Sequence, residues 1–393
     1  MASNKMRCNT KHNTFNFGGQ QLMARRFGKK NEVKIDPLKY NICLLGEPKI
    51  GKTTLIKEVC EKLAGEEGYI FLEMNGEAGA DAIEGIVYED CDEWADVEDI
   101  VEDIIDNKTT DYADLRAIVV DTYDGWIKLA EQEAIRLWNK DHMDKKADTI
   151  DGAWNGFQKG QAKAFELMFN IIKDLRKVGV ATIVIGHVKN KEVTDIATGT
   201  TYQTLTSDVE KVYFNLLKKK MHFLGLGYYD RTIVTEKTGK KNIVTKKDIT
   251  VNKIVDQHRK IKFRDDNMAL DSGSRFADIV DEVAFDTDEF IQAITDAIKA
   301  EQAKSGKTFE QSEKEQAEKE AEVLKELAKK EAEKKEEKKI ESVIEQIKDF
   351  IKDNKGNMEA IKPLLEFSKE HGYTNPTLID DLSIAEQALS IVA

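Results

Sequence analysis

Eight consecutive residues, Gly46-Glu47-Pro48-Lys49-Ile50-Gly51-Lys52-Thr53, match the spacing GxxxxGK[ST] at every fixed position. Residue types in that order fit one chemistry, the cradling of a polyphosphate. Glycines let the backbone turn so that main-chain N–H groups face the anion, and the N-terminus of a following helix adds favourable partial charge. Lys52 would reach the β- and γ-phosphates as a solvated loop lysine, Thr53 would ligate a magnesium ion, and Thr54 belongs to the same cradle. Pro48 removes one N–H donor but presets the turn. A second GKT, in Ser305-Gly306-Lys307-Thr308, has Glu301 where the leading glycine should stand and no strand before it; it reads as a helix interruption.

A nucleotide site also needs a carboxylate on the magnesium side. Ile118-Val119-Val120-Asp121 ends an apolar run in Asp121, with Thr122 and Asp124 close behind. A carboxylate at the C-terminal edge of a neighbouring parallel strand lies where ligands bind in open α/β sheets; the alternative is an aspartate capping the next helix. Glu73 and Glu77 follow another strand, and either can orient or deprotonate an attacking water. Gly76 and Gly79 bend that loop toward a ligand, which favours Glu77, although both glutamates also suit a solvated surface. His187 ends Ile183-Val184-Ile185-Gly186-His187 and is placed to sense the γ-phosphate and pass its loss to the next loop, or else to cap its strand.

These residues require strands that deliver them to one edge. Asn41 to Leu45, Tyr69 to Met74, Arg116 to Asp121 and Ala181 to Gly186 are short apolar runs. Between them, Val97, Ile100, Val101, Ile104 and Ile105, then Ala164, Leu167, Met168, Ile171, Ile172 and Leu175, recur at helical spacing. Strands too apolar to face water, alternating with amphipathic helices, predict a mostly parallel sheet covered on both faces. Residues 228 to 264 alternate more weakly about a turn at Lys237-Thr238-Gly239-Lys240, an antiparallel extension, and Asp286 to Ala300 is helical. Residues 311 to 339 are nearly all Glu, Lys and Ala with i,i+4 pairs such as Glu326/Lys330, which predicts a solvated helical spacer. Ile340, Val343, Ile344, Ile347, Phe350 and Ile351 open a small helical module that runs through Pro363 and Pro376. The expected organisation is a basic flexible arm over 1–37, an ATPase domain over 38–300, the spacer over 301–339 and the module over 340–393.

Composition narrows the setting. The chain has 393 residues, 40% apolar and 34% charged, with mean hydropathy −0.51, and no apolar run approaches the roughly 20 residues of a spanning helix. Neither a membrane partner nor a secretory signal is expected. Cys8, Cys43, Cys60 and Cys91 lack any ligand spacing, as in a reduced, cytoplasmic compartment. A formal charge of −13 hides segregation: residues 1–35 carry eight Lys/Arg against one acid, 210–264 carry fifteen against five, and 89–106 hold ten acids and no base. The basic zones are where a phosphate backbone would dock.

Together these residues resemble the RecA-like P-loop ATPases of phages, the AAA-domain nucleotide-binding proteins that include single-strand annealing recombinases. The resemblance spans about residues 38–300. It rests on Gly46 to Thr53, the strand ending in Asp121, the strand ending in His187 with Lys189 after it, and Ile261-Lys262-Phe263-Arg264-Asp265-Asp266 followed by Ser272-Gly273-Ser274-Arg275-Phe276. It implies an α/β RecA-like fold, ATP and Mg2+ as cofactors, a homo-oligomer and, for a phage-encoded chain, the host cytoplasm. Lys189 to Ser207 would be a mobile loop facing single-stranded DNA, with Lys189 and Lys191 on the backbone and Tyr202 stacking on a base. Arg264 or Arg275 would reach a neighbouring subunit's nucleotide. The catalytic glutamate does not fall cleanly into the family's strand-end pattern, and the spacer and module have no counterpart in its minimal domain. Other readings are an ATP-gated scaffold whose C-terminal helical module recruits a protein partner, and a small-molecule phosphotransferase, for which no compact Arg-rich lid is apparent.

Overall fold

The apolar runs fold as strands buried on both faces. In the computed structural model, which describes residues 31–194, 199–241, 248–264 and 272–392, β1 (Ile42–Gly46) leads into α1 (Lys52–Ala64) and β2 (Tyr69–Met74). There follow β3 (Tyr88–Cys91), α2 (Trp94–Asp106), β4 (Ala117–Asp121), α3 (Tyr123–Asp141) and α4 (Lys159–Lys177). Next come β5 (Ala181–Thr194), β6 (Thr201–Ser207), α5 (Lys211–Lys218), β7 (Phe223–Lys241) and β8 (Asp248–Lys262). The short β9 (Gly273–Ser274) and β10 (Glu282–Ala284) precede α6 (Thr287–Ala303), α7 (Phe309–Asp353), α8 (Met358–Glu370) and α9 (Leu382–Val392).

Sheet order is β10-β8-β7-β1-β5-β4-β2-β3, with β6 on β5 and β9 on β7. The strands from β7 to β3 run parallel, and the β8 and β10 side is antiparallel. Every residue of β1 and β4 is buried, because helices cover both faces and leave no room for polar alternation. This is the mixed α/β fold with a mostly parallel central sheet expected of a P-loop protein. Lys34–Ala393 folds as one unit. Cys43, Cys60 and Cys91 are buried free thiols; Cys8 and most of the basic arm, residues 1–30, lie outside the described residues.

Several expectations need correction. β5 lies between β1 and β4, so Asp121 sits two strands from the phosphate loop rather than on its immediate neighbour; an apolar run does not encode its place in the sheet. The described part of Lys189 to Ser207 is largely strand rather than loop: β5 runs on past His187, and Val188 to Thr194 pairs antiparallel with β6, Thr201 to Ser207; residues 195–198 are outside the described set. Lys237 to Lys240 is likewise strand, with a shift of register between Lys237 and Lys241.

The Glu/Lys segment begins a helix of 45 residues that continues without break past residue 340, so a boundary there falls inside α7. Thr308 caps it through a reciprocal capping box with Gln311, which accounts for the second GKT as a helix start. Nor is α7 wholly solvated. Glu331 is buried and accepts from Thr109 N and Oγ1, Lys338 bonds Asp106 at 2.6 Å, and Lys39 pairs with Glu320 at 3.2 Å. At its C-terminal end, Ile344 and Ile347 form a small core with Leu364, Ile379, Ala385 and Ala388.

Candidate functional site

The phosphate loop bends between β1 and α1. Gly51 precedes the helix with φ of 103° and offers no side-chain cap, a left-handed conformation that suits glycine and leaves the first N–H groups of α1 free of a capping side chain, as an anion site requires. Lys52 is not solvated: it is 6% exposed, and its ammonium donates to Gly46 O and Glu47 O, both at 3.1 Å. Burial pushes its pKa down, against the pull of the Asp121, Glu77, Asp208 and Asp124 carboxylates.

Thr53 Oγ1 donates to Asp121 Oδ2 at 2.7 Å. Asp121 is 2% exposed; burial raises its pKa, the Thr53 hydrogen bond opposes this, and Glu77 raises it further. The hydroxyl and carboxylate expected to share a magnesium ion are thus already in contact. Glu73 pairs in register with Asp121 across β2 and β4. It is also 2% exposed and accepts from Ala80 N at 2.5 Å, with its pKa raised by burial first and by Asp121 among the charges. All three groups converge on Gly79: a Cβ there would lie 3.5 Å from Glu73 Oε1, 3.7 Å from Thr53 Oγ1 and 3.9 Å from Asp121 Oδ2. The three oxygens thus border one small space beside Gly79. Glu73, rather than the half-buried Glu77, lines it directly, while Glu77 acts on Lys52 and Asp121 through charge.

His187 stands in register with Gly46. Its Nδ1 is 3.4 Å from Asp124 Oδ1; that hydrogen bond raises the imidazole pKa, against burial and Lys52. Burial alone would raise the Asp124 carboxyl, but hydrogen bonding led by His187 takes it down to about 2. Asp208, which sequence reasoning did not single out, joins this cluster. Its Oδ1 is buried without a hydrogen-bond partner among the described residues, and burial raises its pKa.

The peripheral candidates diverge. Lys189 Nζ donates to Asp208 O at 2.7 Å and Lys191 is exposed on the same strand; the Tyr202 side chain is outside the described set. Arg275 is engaged with its own chain, Nε on Met221 O at 3.2 Å and Nη2 on Lys219 O, where it serves as a clasp beyond α5 rather than an arm extended to another subunit. Arg264 follows the end of β8, its N–H on Asp281 O, on the course of the strand that leads away from Gly46. The sequence reading missed Arg259, whose Nη1 donates to Ile50 O at 3.0 Å. Only the pairing of β7 with β8 brings it to the loop.

A mostly parallel sheet with an intact phosphate loop, a hydroxyl and carboxylate in contact beside it and an adjacent buried glutamate defines a P-loop nucleoside-triphosphate-binding domain. The family comparison agrees: a family model described as an AAA domain matches residues 38–252, and the chain belongs to that family. No curated protein gives a significant match. None of the described helices is long and apolar enough to cross a membrane.

Proposed function

We propose that this protein binds and hydrolyses Mg-ATP and couples that cycle to single-stranded DNA in recombination, replication or repair, working as an oligomer. The observation that carries the nucleotide half is the convergence of Thr53, Asp121 and Glu73 on Gly79 beside the buried Lys52. Thr53 and Asp121 hold the magnesium, Lys52 neutralises the β- and γ-phosphates, and Glu73 or Glu77 activates the water. Support for the DNA half is the continuity of β5, which passes from His187 beside the phosphate loop to Lys189 and Lys191 on the part of the strand paired with β6, together with the excess of bases over residues 210–264. In this reading Arg264 is the remaining candidate to approach a neighbouring subunit.

Hydrolysis measured with and without single-stranded DNA, in wild type and Lys52→Ala, tests the proposal. Stimulation in wild type, its loss in the variant, and binding that weakens steeply with salt, by a log–log slope of about −0.7 per phosphate contact, are expected. Hydrolysis indifferent to DNA, with salt-independent binding, would overturn the DNA half and leave the second reading, an ATP-gated scaffold. That reading is favoured by the separate core of the C-terminal helices and their tie to α2 through α7.

A further inference from the structure

The parallel strands β1, β5 and β4 bring the phosphate loop, His187 and Asp121 to one edge of the sheet. At the opposite edge, where these strands begin, a cavity of about 380 Å³ lies between the sheet and α7, within the ~300–1,000 Å³ typical of small-molecule sites. Residues leading into the three strands, Leu38, Leu115 and Val180, give it an apolar wall, each no more than 3% exposed. α7 supplies the facing wall. Residues 311–339 contain three large apolar side chains, Val323, Leu324 and Leu327, and all three line this cavity.

An apolar turn in an otherwise Glu/Lys helix is a contact surface, yet this one is incompletely covered. Val323 is 51% and Leu324 45% exposed. α7 is nonetheless fixed on both sides of the turn: Gln316 accepts from Ile35 N at 3.0 Å and Glu320 pairs with Lys39 before it, and Glu331 accepts from Thr109 after it. The gap is therefore held open between anchors.

Its charge is one-sided. Six Lys/Arg and a single acid, Glu320, line the cavity. Lys39 is matched by that acid, Arg116 by Asp36 at 2.6 Å and Lys177 by Asp174 at 2.6 Å, while Lys108 donates to the carbonyls of Tyr112 and Ala113. The side chains of Lys34 and Arg176 have no hydrogen-bond or ion-pair partner among the described residues.

We propose that this cavity is a ligand site for an amphiphilic anion, a small molecule that carries a carboxylate or sulfonate on an apolar body. The body covers Val323 and Leu324, and the anion meets Lys34 and Arg176 in charge-assisted hydrogen bonds. Apolar walls give a bare phosphate nothing to replace its water, and unmatched cations give a wholly apolar guest no advantage. The site stands apart from the nucleotide reading, because it faces the other edge of the sheet.

Fluorescence titration of the full chain with 8-anilinonaphthalene-1-sulfonate tests it, beside N-phenyl-1-naphthylamine, the same rings without the anion. The sulfonate should bind about tenfold more tightly than the neutral probe, the factor one charge-assisted hydrogen bond supplies. Arg176→Ala should weaken the sulfonate by about tenfold and the neutral probe by less than about twofold. Leu324→Glu should weaken both by about tenfold or more. Both substitutions are at exposed helix positions and bring in good helix formers, so melting curves on the same samples should be unchanged. Sulfonate binding that resists both substitutions overturns the site, and equal affinity for the two probes overturns its preference for an anion.

Discussion

Replacing Lys52 separates a phosphate ligand from a structural lysine, and the structure sets the size of both effects. Its ammonium is buried on Gly46 O and Glu47 O. Deleting it removes two charge-assisted hydrogen bonds worth about 1.5–3 kcal/mol each, but also relieves the penalty of a buried charge, several kcal/mol for an unpaired ion. Those terms oppose, so Lys52→Ala should change stability by no more than about 1–2 kcal/mol, a shift within about 5 °C in melting temperature. Lys52→Met, which keeps the stem packed against Gly46, should change it less. For Mg-ATP nothing offsets the loss: two charge-assisted hydrogen bonds at about 1.5–3 kcal/mol each give roughly 3–6 kcal/mol, or about a hundredfold to ten-thousandfold in Kd. Calorimetry and a melting curve on the same samples decide it. A fall in affinity under about tenfold with an unchanged melting temperature would remove Lys52 from the phosphate site, and a collapse of the fold would make its role structural.

Gly79→Ala should leave the fold intact, because Gly79 sits at φ −74° and ψ −33°, where alanine is unstrained. The new methyl group would nonetheless occupy the space shared by Glu73, Thr53 and Asp121, so hydrolysis should drop about a hundredfold with no matching change in melting; full turnover would place the cation and water elsewhere. Asp124→Asn should lower the His187 pKa, read by NMR titration, since the Asp124 hydrogen bond is what raises it. The sign follows from the two shifts. His187, raised in the fold, stabilises at pH below its unfolded value of ~6.5 and loses that contribution as pH climbs through the folded value. Asp124, lowered to about 2, stabilises above its ordinary value and loses that contribution only as pH falls through about 2. The stability gap between wild type and variant should therefore be widest at about pH 4–6 and shrink in alkali; a gap that widens from neutral to alkaline pH would refute the pair.

What was legible in the sequence is what chemistry or full burial writes into consecutive residues. Gly46 to Thr53 is contiguous, and the runs ending in Asp121 and His187 are apolar up to the functional residue because both faces of those strands are covered. β3 was not legible: Tyr88-Glu89-Asp90-Cys91 has no apolar alternation because it is an edge strand with its middle exposed. Glu331 looks like any residue of a solvated Glu/Lys helix, and only the docking of α7 on Thr109 distinguishes it. Arg259 reaches Ile50 across 209 residues of sequence, through a pairing that no local period records. The same limit hid the burial of Lys52, whose motif fixes its identity but not its surroundings.

That strand order is not chain order has a consequence for coupling. Loop, magnesium carboxylate and buried glutamate sit on β1, β4 and β2, and β5 is interposed between the first two although it follows all three in the chain. Its register puts His187 against Gly46 on one side and Ile185 against Asp121 on the other. In the proposed reading, a change of charge at the γ-phosphate would be felt by His187 on the central strand. Four residues further on, the same strand is the exposed Lys191 edge of the β5–β6 hairpin. His187 and Lys191 lie on one continuous strand among the described residues, so in the proposed reading a shift of β5 at His187 would reach its pairing with β6. Signal from hydrolysis to the surface proposed to meet DNA then needs no relay beyond one continuous strand.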